Sequence, residues 1–246
     1  MIEVDVFTCA SAVRPEEIAG KAAMVIDVVR ASSVIVTALY NGCREVVPLL
    51  TVEETMEKSV EMGPANCLKG GERKAVKIEG FDLGNSPLEY TPEVVGGKTV
   101  LLTTSNGTRA LYAARCARLL IVGGFVNASA AAVYLADSLS SGGEERSAAI
   151  VCAGANDRMS LDDYCCAGLM IEKLLNRFPG QVRLTDAGLA ANELYRAYRG
   201  DLMKLIIKTE VYQAVKRLGL EEDLKYCLEE DRFDLVPYWN GGRLIK

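Results

Sequence analysis

The sequence predicts an α/β protein: a three-layer α/β/α arrangement, Rossmann-like, with a mainly parallel sheet. Two observations predict it. A strand–loop–helix unit recurs three times, and strands that alternate with helices pair in parallel under helices on both faces. The length of 246 residues, half of them hydrophobic, suits one α/β unit with a sizeable core. Residues 1–246 therefore read as a single unit, with room for two similar, intimately packed halves at about 1–95 and 96–246. No stretch rich in Pro, Gly or Ser marks a linker between them.

The first unit starts at "KAAMVIDVV", Lys21 to Val29, an apolar run expected of a strand covered on both faces. "RASSVIVTALYNGC" follows. Ser32 or Ser33 is expected to cap a helix whose apolar stripe includes Val34, Ile35, Ala38 and Leu39. Asn41-Gly42 ends that helix, and "REVVPLL" reads as the next strand. Between Cys67 and Tyr90 the chain is polar, and Gly70-Gly71 and Gly84-Asn85 interrupt any regular element. This segment predicts a long loop, dense in reactive types: Glu72, Arg73, Asp82, Asn85 and Ser86.

The second unit, Gly97 to Gly124, repeats the pattern. Lys98 to Thr103 is a strand, Thr104 to Thr108 a turn, Arg109 to Ala117 a helix and "RLLIVGG" another strand. "NGCREVVPL" and "AARCARLLIV" both place a Cys just before the second strand, which suggests an internal duplication. The third unit runs from Arg146 to Phe178. Ser160 with Asp163 resembles a capping box, and Leu161, Cys165, Gly168, Ile171, Leu175 and Phe178 trace one helical face. From Asp186 to Glu230 the chain reads as mostly helical, and "DRFDLVPYW" as a last strand.

Composition narrows the function. The net charge of -5, with no long basic run, argues against a nucleic-acid partner. The N-terminal region carries early acids and no apolar segment of signal or membrane-spanning length, so a cytoplasmic protein without a membrane partner is expected. In that compartment the sequons at Asn106 and Asn127 are not glycosylation sites, and the eight Cys, with no C-x-x-C pair, read as buried thiols. A homodimer is the expected oligomer. With no histidine in the chain, acid–base work falls to carboxylates, hydroxyls, thiols, Arg, Lys or an oxygen-bound metal.

Ligands of open parallel sheets gather at the carboxyl ends of strands. Three loops fall there, "DVVRASS", "TTSNGTR" and "AGANDRMS", each at a helix N-terminus, with Arg30, Arg109 and Arg158 beside them. Helix N-termini favour anions, so an anionic ligand is expected. No G-x-G-x-x-G follows a strand, and no Walker motif or G-x-S-x-G is present. Phosphoryl transfer helped by Mg²⁺ remains, because that cation takes carboxylate and phosphate oxygens.

Four segments, "MVIDVVRASS", "GERKAVKIEGFDLGNSPLEY", "LLTTSNGTRAL" and "CAGANDRMSLDD", stand in this order, with "DRFDLVP" near the end. They resemble the 2-phosphosulfolactate phosphatase (ComB-type) family over essentially the whole length. The resemblance implies a Mg²⁺-dependent phosphoric monoester hydrolase that converts 2-phosphosulfolactate to sulfolactate and phosphate, in the setting of coenzyme M biosynthesis. Carried over by motif, Asp27, Glu72 and Asp82 are the catalytic and metal-ligand candidates, with Asp27 either a ligand or a nucleophile. The candidates for binding a small anionic phosphorylated substrate are Arg30, Ser32, Ser33, Asn85, Ser86, Thr104, Ser105, Asn106, Gly107, Thr108, Arg158 and Ser160. Asp157 stands where the family pattern has Gly, which adds a carboxylate to a loop meant for anions.

Two rival readings stand beside this one. Cys152 and Arg158 form a C-x5-R spacing after a strand, as in cysteine-dependent phosphatases. A non-catalytic small-anion binding protein would use the same loops.

Overall fold

A computed structural model describes residues 1–141 and 146–246. The chain begins with β1 (Ile2–Phe7), α1 (Pro15–Ile18), β2 (Ala22–Ile26), α2 (Ala31–Tyr40), β3 (Glu45–Pro48), α3 (Val52–Met62), β4 (Cys67–Arg73) and β5 (Val76–Lys77). It continues through α4 (Pro92–Val95), β6 (Thr99–Thr103), α5 (Gly107–Ala114), β7 (Leu119–Gly123), α6 (Ala128–Ser141), β8 (Ser147–Cys152) and α7 (Leu161–Arg177). The C-terminal part holds β9 (Val182–Leu184), α8 (Asp186–Tyr198), α9 (Met203–Ile206), α10 (Glu210–Arg217), α11 (Glu221–Cys227), β10 (Tyr238–Asn240) and β11 (Arg243–Ile245). No described helix is long and apolar enough to cross a membrane.

All strands join one sheet, in the order β5-β4-β6-β3-β11-β10-β7-β2-β8-β1-β9. Two parallel blocks, β4-β6-β3 and β7-β2-β8-β1-β9, flank the antiparallel hairpin β10–β11, and β5 joins the edge of the first antiparallel to β4. Along β2, alternate residues serve opposite faces, as strand geometry requires. Ala22, Met24 and Ile26 pack with α6, α7 and α8, whereas Ala23 and Val25 pack with α2 and α5. These are the two helical layers.

The first two strand–loop–helix units exchange partners. β2 of the first pairs with β7 of the second, and β6 of the second pairs with β3 of the first. The hairpin fills the gap, with Leu244 opposite Val46 and Tyr238 opposite Ile121. In a flat sheet five strand spacings would part β6 from β2 by roughly 24 Å. Yet a Cβ on Gly107, after β6, would lie 2.6 Å from Asp27 Oδ2, after β2. The sheet therefore curls at the hairpin, and both blocks share one apolar cluster around α2 and α5. The curl brings the two loops face to face.

Several local expectations are corrected. Gly70-Gly71 does not interrupt a regular element; β4 runs through both residues beside β6. Glycine is required there, because a Cβ on Gly71, at φ +142°, would lie 1.9 Å from Thr103 O. "DRFDLVPYW" forms a ladder only from Tyr238 onward. Its earlier part instead ties down the segment after β7, through Asp231 N–H to Phe125 O (2.9 Å) and Phe233 N–H to Val126 O (2.8 Å). Ser32 and Ser33 lie inside α2 and do not cap it. The capping oxygen is Asp27 Oδ1, which accepts the Ala31 N–H at 3.2 Å. In α5 the same four-residue step is made by Thr104 Oγ1, which accepts the Thr108 N–H at 3.1 Å, while the Asn106 side chain makes no cap bond.

Candidate active site

The loops after β2, β4, β6 and β8 open into a cavity of about 360 Å³, walled on one side by α10. Its floor is built from buried polar groups: Asp27, Glu72, Asn85, Asp162 and Asp163. Asp27 directly follows the buried strand β2. One of its oxygens is committed to Ala31, which leaves Oδ2, the atom next to Gly107, free. Burial pushes its carboxyl up to about 7, and the charges of Asp162 and Glu72 add to the rise, against the pull of the Ala31 N–H and Arg30.

Asp162 and Asp163 open α7. Burial raises both carboxyls above their ordinary value, and for Asp163 the neighbouring charges of Asp162 and Asp27 raise it further. The Ser160 hydroxyl donates to Asp162 Oδ1 and opposes the shift there. Asp163 is not the partner of Ser160 that a capping box needs. Its Oδ1 accepts Val28 N–H (2.8 Å) and its Oδ2 accepts Gly154 N–H (3.0 Å), so it clamps the first loop to the one after β8.

Glu72 ties down another pair of loops. Its Oε1 accepts Ser105 N–H at 2.7 Å, and its Oε2 accepts Ala75 N–H at 2.7 Å and the Ser105 hydroxyl at 3.1 Å. β4 places it there by running alongside β6. Arg30 is buried and donates to Asp223 Oδ2 on α11 at 2.5 Å and to Ala75 O at 3.1 Å. Ser86 donates to the other oxygen of Asp223 at 2.6 Å. Asn85 Oδ1 is different: it is a buried side-chain oxygen with no hydrogen-bond partner among the described residues. A buried polar atom without a partner is costly, and this one belongs to a residue of the cavity wall.

Of the residues expected from sequence, Asp27, Arg30, Glu72, Asn85, Ser105, Asn106 and Ser160 line the cavity together. Others stand elsewhere. Ser32 Oγ accepts Asp27 N–H, and Ser33 donates to Val28 O, so both brace the loop from behind. Thr104 and Thr108 bond each other, and Ser86 is spent on Asp223. Gly107 contributes space for Asp27. Asp82 lies exposed outside the cavity, where it accepts Lys69 N–H at 2.8 Å, so it does not join Asp27 and Glu72 as a third ligand. Arg158 is also exposed and outside the lining. Asp157 stands outside the lining too and pairs with Arg109 at 2.8 Å, which answers the concern over its charge.

Cys152 is fully buried, does not line the cavity, and burial pushes its thiol well above the usual range. The C-x5-R reading is therefore corrected: a thiolate nucleophile needs a depressed pKa and access to substrate, and this sulfur has neither. Asp162, Lys74, Asn156 and Arg217 also line the cavity, and Asp223 braces Arg30 and Ser86 beside it, beyond the residues that the motifs predict. The "LDD" doublet at the start of α7 was a usable signal for Asp162. Asp223 stands 193 positions from Arg30, and no local pattern reveals it.

A family model described as 2-phosphosulpholactate phosphatase matches residues 8–242, a span that includes the entire cavity lining. The chain belongs to the 2-phosphosulfolactate phosphatase family. It is 40% identical, over the full length of both chains, to a protein of Clostridium botulinum (strain Alaska E43 / Type E3) named probable 2-phosphosulfolactate phosphatase. A protein of the same name from Clostridium acetobutylicum is 39% identical, over 99% of this chain and 100% of its own. Another from Clostridium perfringens (strain SM101 / Type A) is 42% identical, over 99% and 96%. The resemblance carried by "GFDLGNSP" and "TSNGT" thus extends to the whole family pattern, and both segments contribute to the cavity.

Proposed function

We propose that the protein is a phosphoric monoester hydrolase that releases phosphate from 2-phosphosulfolactate, leaving sulfolactate, with Mg²⁺ as cofactor. The setting is the cytoplasm, in a reaction of the coenzyme M biosynthesis type. Family membership supports the substrate class. The observation that carries the reading of the site is the cavity floor, where four buried carboxylates meet the partnerless Asn85 Oδ1.

With its carboxyls ionised, such a floor repels a phosphate ester. Two like charges 4 Å apart cost about 1 kcal/mol in water and about 4 kcal/mol near a protein surface. Arg30 does not reverse the sign, because its charge is already matched by Asp223. A hard divalent cation does reverse it. The oxygens not engaged by protein donors suit one: Asp27 Oδ2 and Asn85 Oδ1. No described group of three His, Cys, Asp or Glu residues has metal-binding spacing. The fit is therefore to Mg²⁺, which uses one or two carboxylates plus water and substrate oxygens. When bound, it would neutralise the floor and polarise the phosphoryl group.

The chain's own residues do the remaining work. Asp27 Oδ2, offered to the cation, would be held ionised by it, against the rise that burial gives this carboxyl. Glu72 and Asp163 spend their oxygens on backbone N–H groups and keep four loops in register around it. The test is phosphate release from a panel of 2-phospho-acids, with Mg²⁺ and with EDTA. Release that prefers 2-phosphosulfolactate and stops in EDTA is expected. Release from every ester alike would remove the substrate assignment, and full activity in EDTA would remove the cation.

A further inference from the structure

The cavity that binds the phosphoryl group also has a rim, and its charge is opposite to that of the floor. The floor residues are buried acids. The two exposed charged side chains in the lining are both cationic: Lys74, in the turn between β4 and β5, and Arg217, in the last turn of α10. Among the described residues neither is paired with a carboxylate within 4.0 Å. Arg217 uses only its Nε, to Gln213 O at 3.2 Å, which leaves both terminal nitrogens free. About half of the other Lys and Arg side chains also lack an acidic partner within that distance; Lys74 and Arg217 are set apart by their place in the lining of an acidic cavity.

Their supports differ from those of ordinary surface side chains. Lys74 and Ala75 sit at φ 54° and 65°, and Ala75 is held from both sides, its N–H by Glu72 and its O by Arg30. The backbone carrying Lys74 is therefore fixed to Glu72 of the floor and to the buried Arg30. Arg217 ends a helix whose Val211, Ala214 and Val215 form an apolar stretch of the same wall. Beside apolar surface a guanidinium–anion pair is less screened than in open water.

We propose that Lys74 and Arg217 form a subsite for the two anionic groups that are not transferred, the sulfonate and the carboxylate, and so set substrate specificity. This rests on the function proposed above. In 2-phosphosulfolactate the ester carbon bears the carboxylate directly and the sulfonate one carbon away. With the phosphoryl group on the floor, both remaining anions lie toward the rim. Two anions there meet two unmatched cations, and Arg217 can meet oxyanions with a two-pronged donor.

The experiment compares kcat/KM for 2-phosphosulfolactate with kcat/KM for p-nitrophenyl phosphate, which carries no second anion. The wild type, Arg217→Ala, Lys74→Ala and Arg217→Lys are measured. The ratio is expected to fall about tenfold in each alanine variant, through KM for 2-phosphosulfolactate, with partial recovery in Arg217→Lys. A wild-type enzyme that prefers 2-phosphosulfolactate, with the ratio unchanged in both alanine variants, overturns the subsite and leaves the proposed function standing. A wild type without that preference defeats the proposed function itself. A fall through kcat on both esters together also overturns the subsite, since it marks damage to the floor.

Discussion

The floor carboxylates make stability depend on pH, and Asp27→Asn isolates the largest contribution whose size can be worked out. Burial lifts the Asp27 carboxyl from 3.8 to about 7, roughly three pH units, or about 4 kcal/mol at 1.36 kcal/mol per unit. The sign follows from proton binding. The folded protein holds this proton more tightly than the unfolded chain, so the stability it gives is fully present below pH 3.8 and is lost as pH rises through about 7. Above that, the wild type carries a buried charge that the Asp27→Asn variant lacks. The amide oxygen of the variant can still accept Ala31 N–H. In EDTA, the variant should therefore gain on the wild type steadily from pH 4 to pH 8, ending about 4 kcal/mol ahead. For a chain of this length that is roughly 8–16 °C in Tm. Urea denaturation at pH 4, 6 and 8 measures it. A difference that does not change with pH, or a wild type more stable at pH 8, would refute the burial argument. Millimolar Mg²⁺ at pH 8 should narrow the gap by stabilising only the wild type.

Three further outcomes follow from named contacts. Gly107→Ala puts a methyl group 2.6 Å from Asp27 Oδ2 and 2.5 Å from Ala31 Cβ; it should cost about 1–3 kcal/mol, and phosphate release should fall at least about tenfold as Asp27 is displaced. Thermal unfolding and a phosphate assay on the same sample check both parts. Asp223→Ala leaves Arg30 buried without its partner and should cost about 3–5 kcal/mol by urea denaturation; a loss under about 1 kcal/mol shows that water reaches the guanidinium. Cys152→Ala should keep phosphate release within about threefold of wild type, because the sulfur neither ionises nor reaches the cavity; abolished activity in a folded variant restores the thiol reading.

The parts of the fold legible in the sequence share one physical property: a long apolar signal with a single period. β2, β6 and β8 are buried on both faces and read as unbroken apolar runs, and α7 shows its stripe over 17 residues. β4 was hidden because its close approach to β6 demands Gly70 and Gly71, the residues that elsewhere end strands. Helix caps were misassigned for a related reason. Ser32, Ser33 and Ser160 are good capping residues, but in α2 the Asp27 carboxylate, four residues before the helix N–H, takes that bond, and at α7 the Ser160 hydroxyl is spent on Asp162. For the site, motifs located the loops correctly, and they could not say which side chain in each loop faces inward. That choice turns on which oxygens the backbone has already claimed: Asp82 is claimed by Lys69 and points out, while Asn85, three residues later, is left free within the wall.

The strand exchange gives the site a structural origin. Asp27 and Thr104 occupy matching places, each just after the first strand of its unit and each accepting the N–H four residues on. The pairing of β2 with β7 and of β6 with β3, closed by the hairpin, turns these two positions toward each other. Two identical loops would set two carboxylates against one another, at a cost that burial would enlarge. Instead the second loop carries a neutral hydroxyl at that place and glycine three residues later, where the first has Arg30. That glycine is the residue whose missing side chain leaves room for Asp27 Oδ2. The two loops therefore divide the work: the first supplies charge, the second supplies space and backbone. The free oxygen of Asp27 has room at the cavity floor because the matching loop of the second unit has no side chain there.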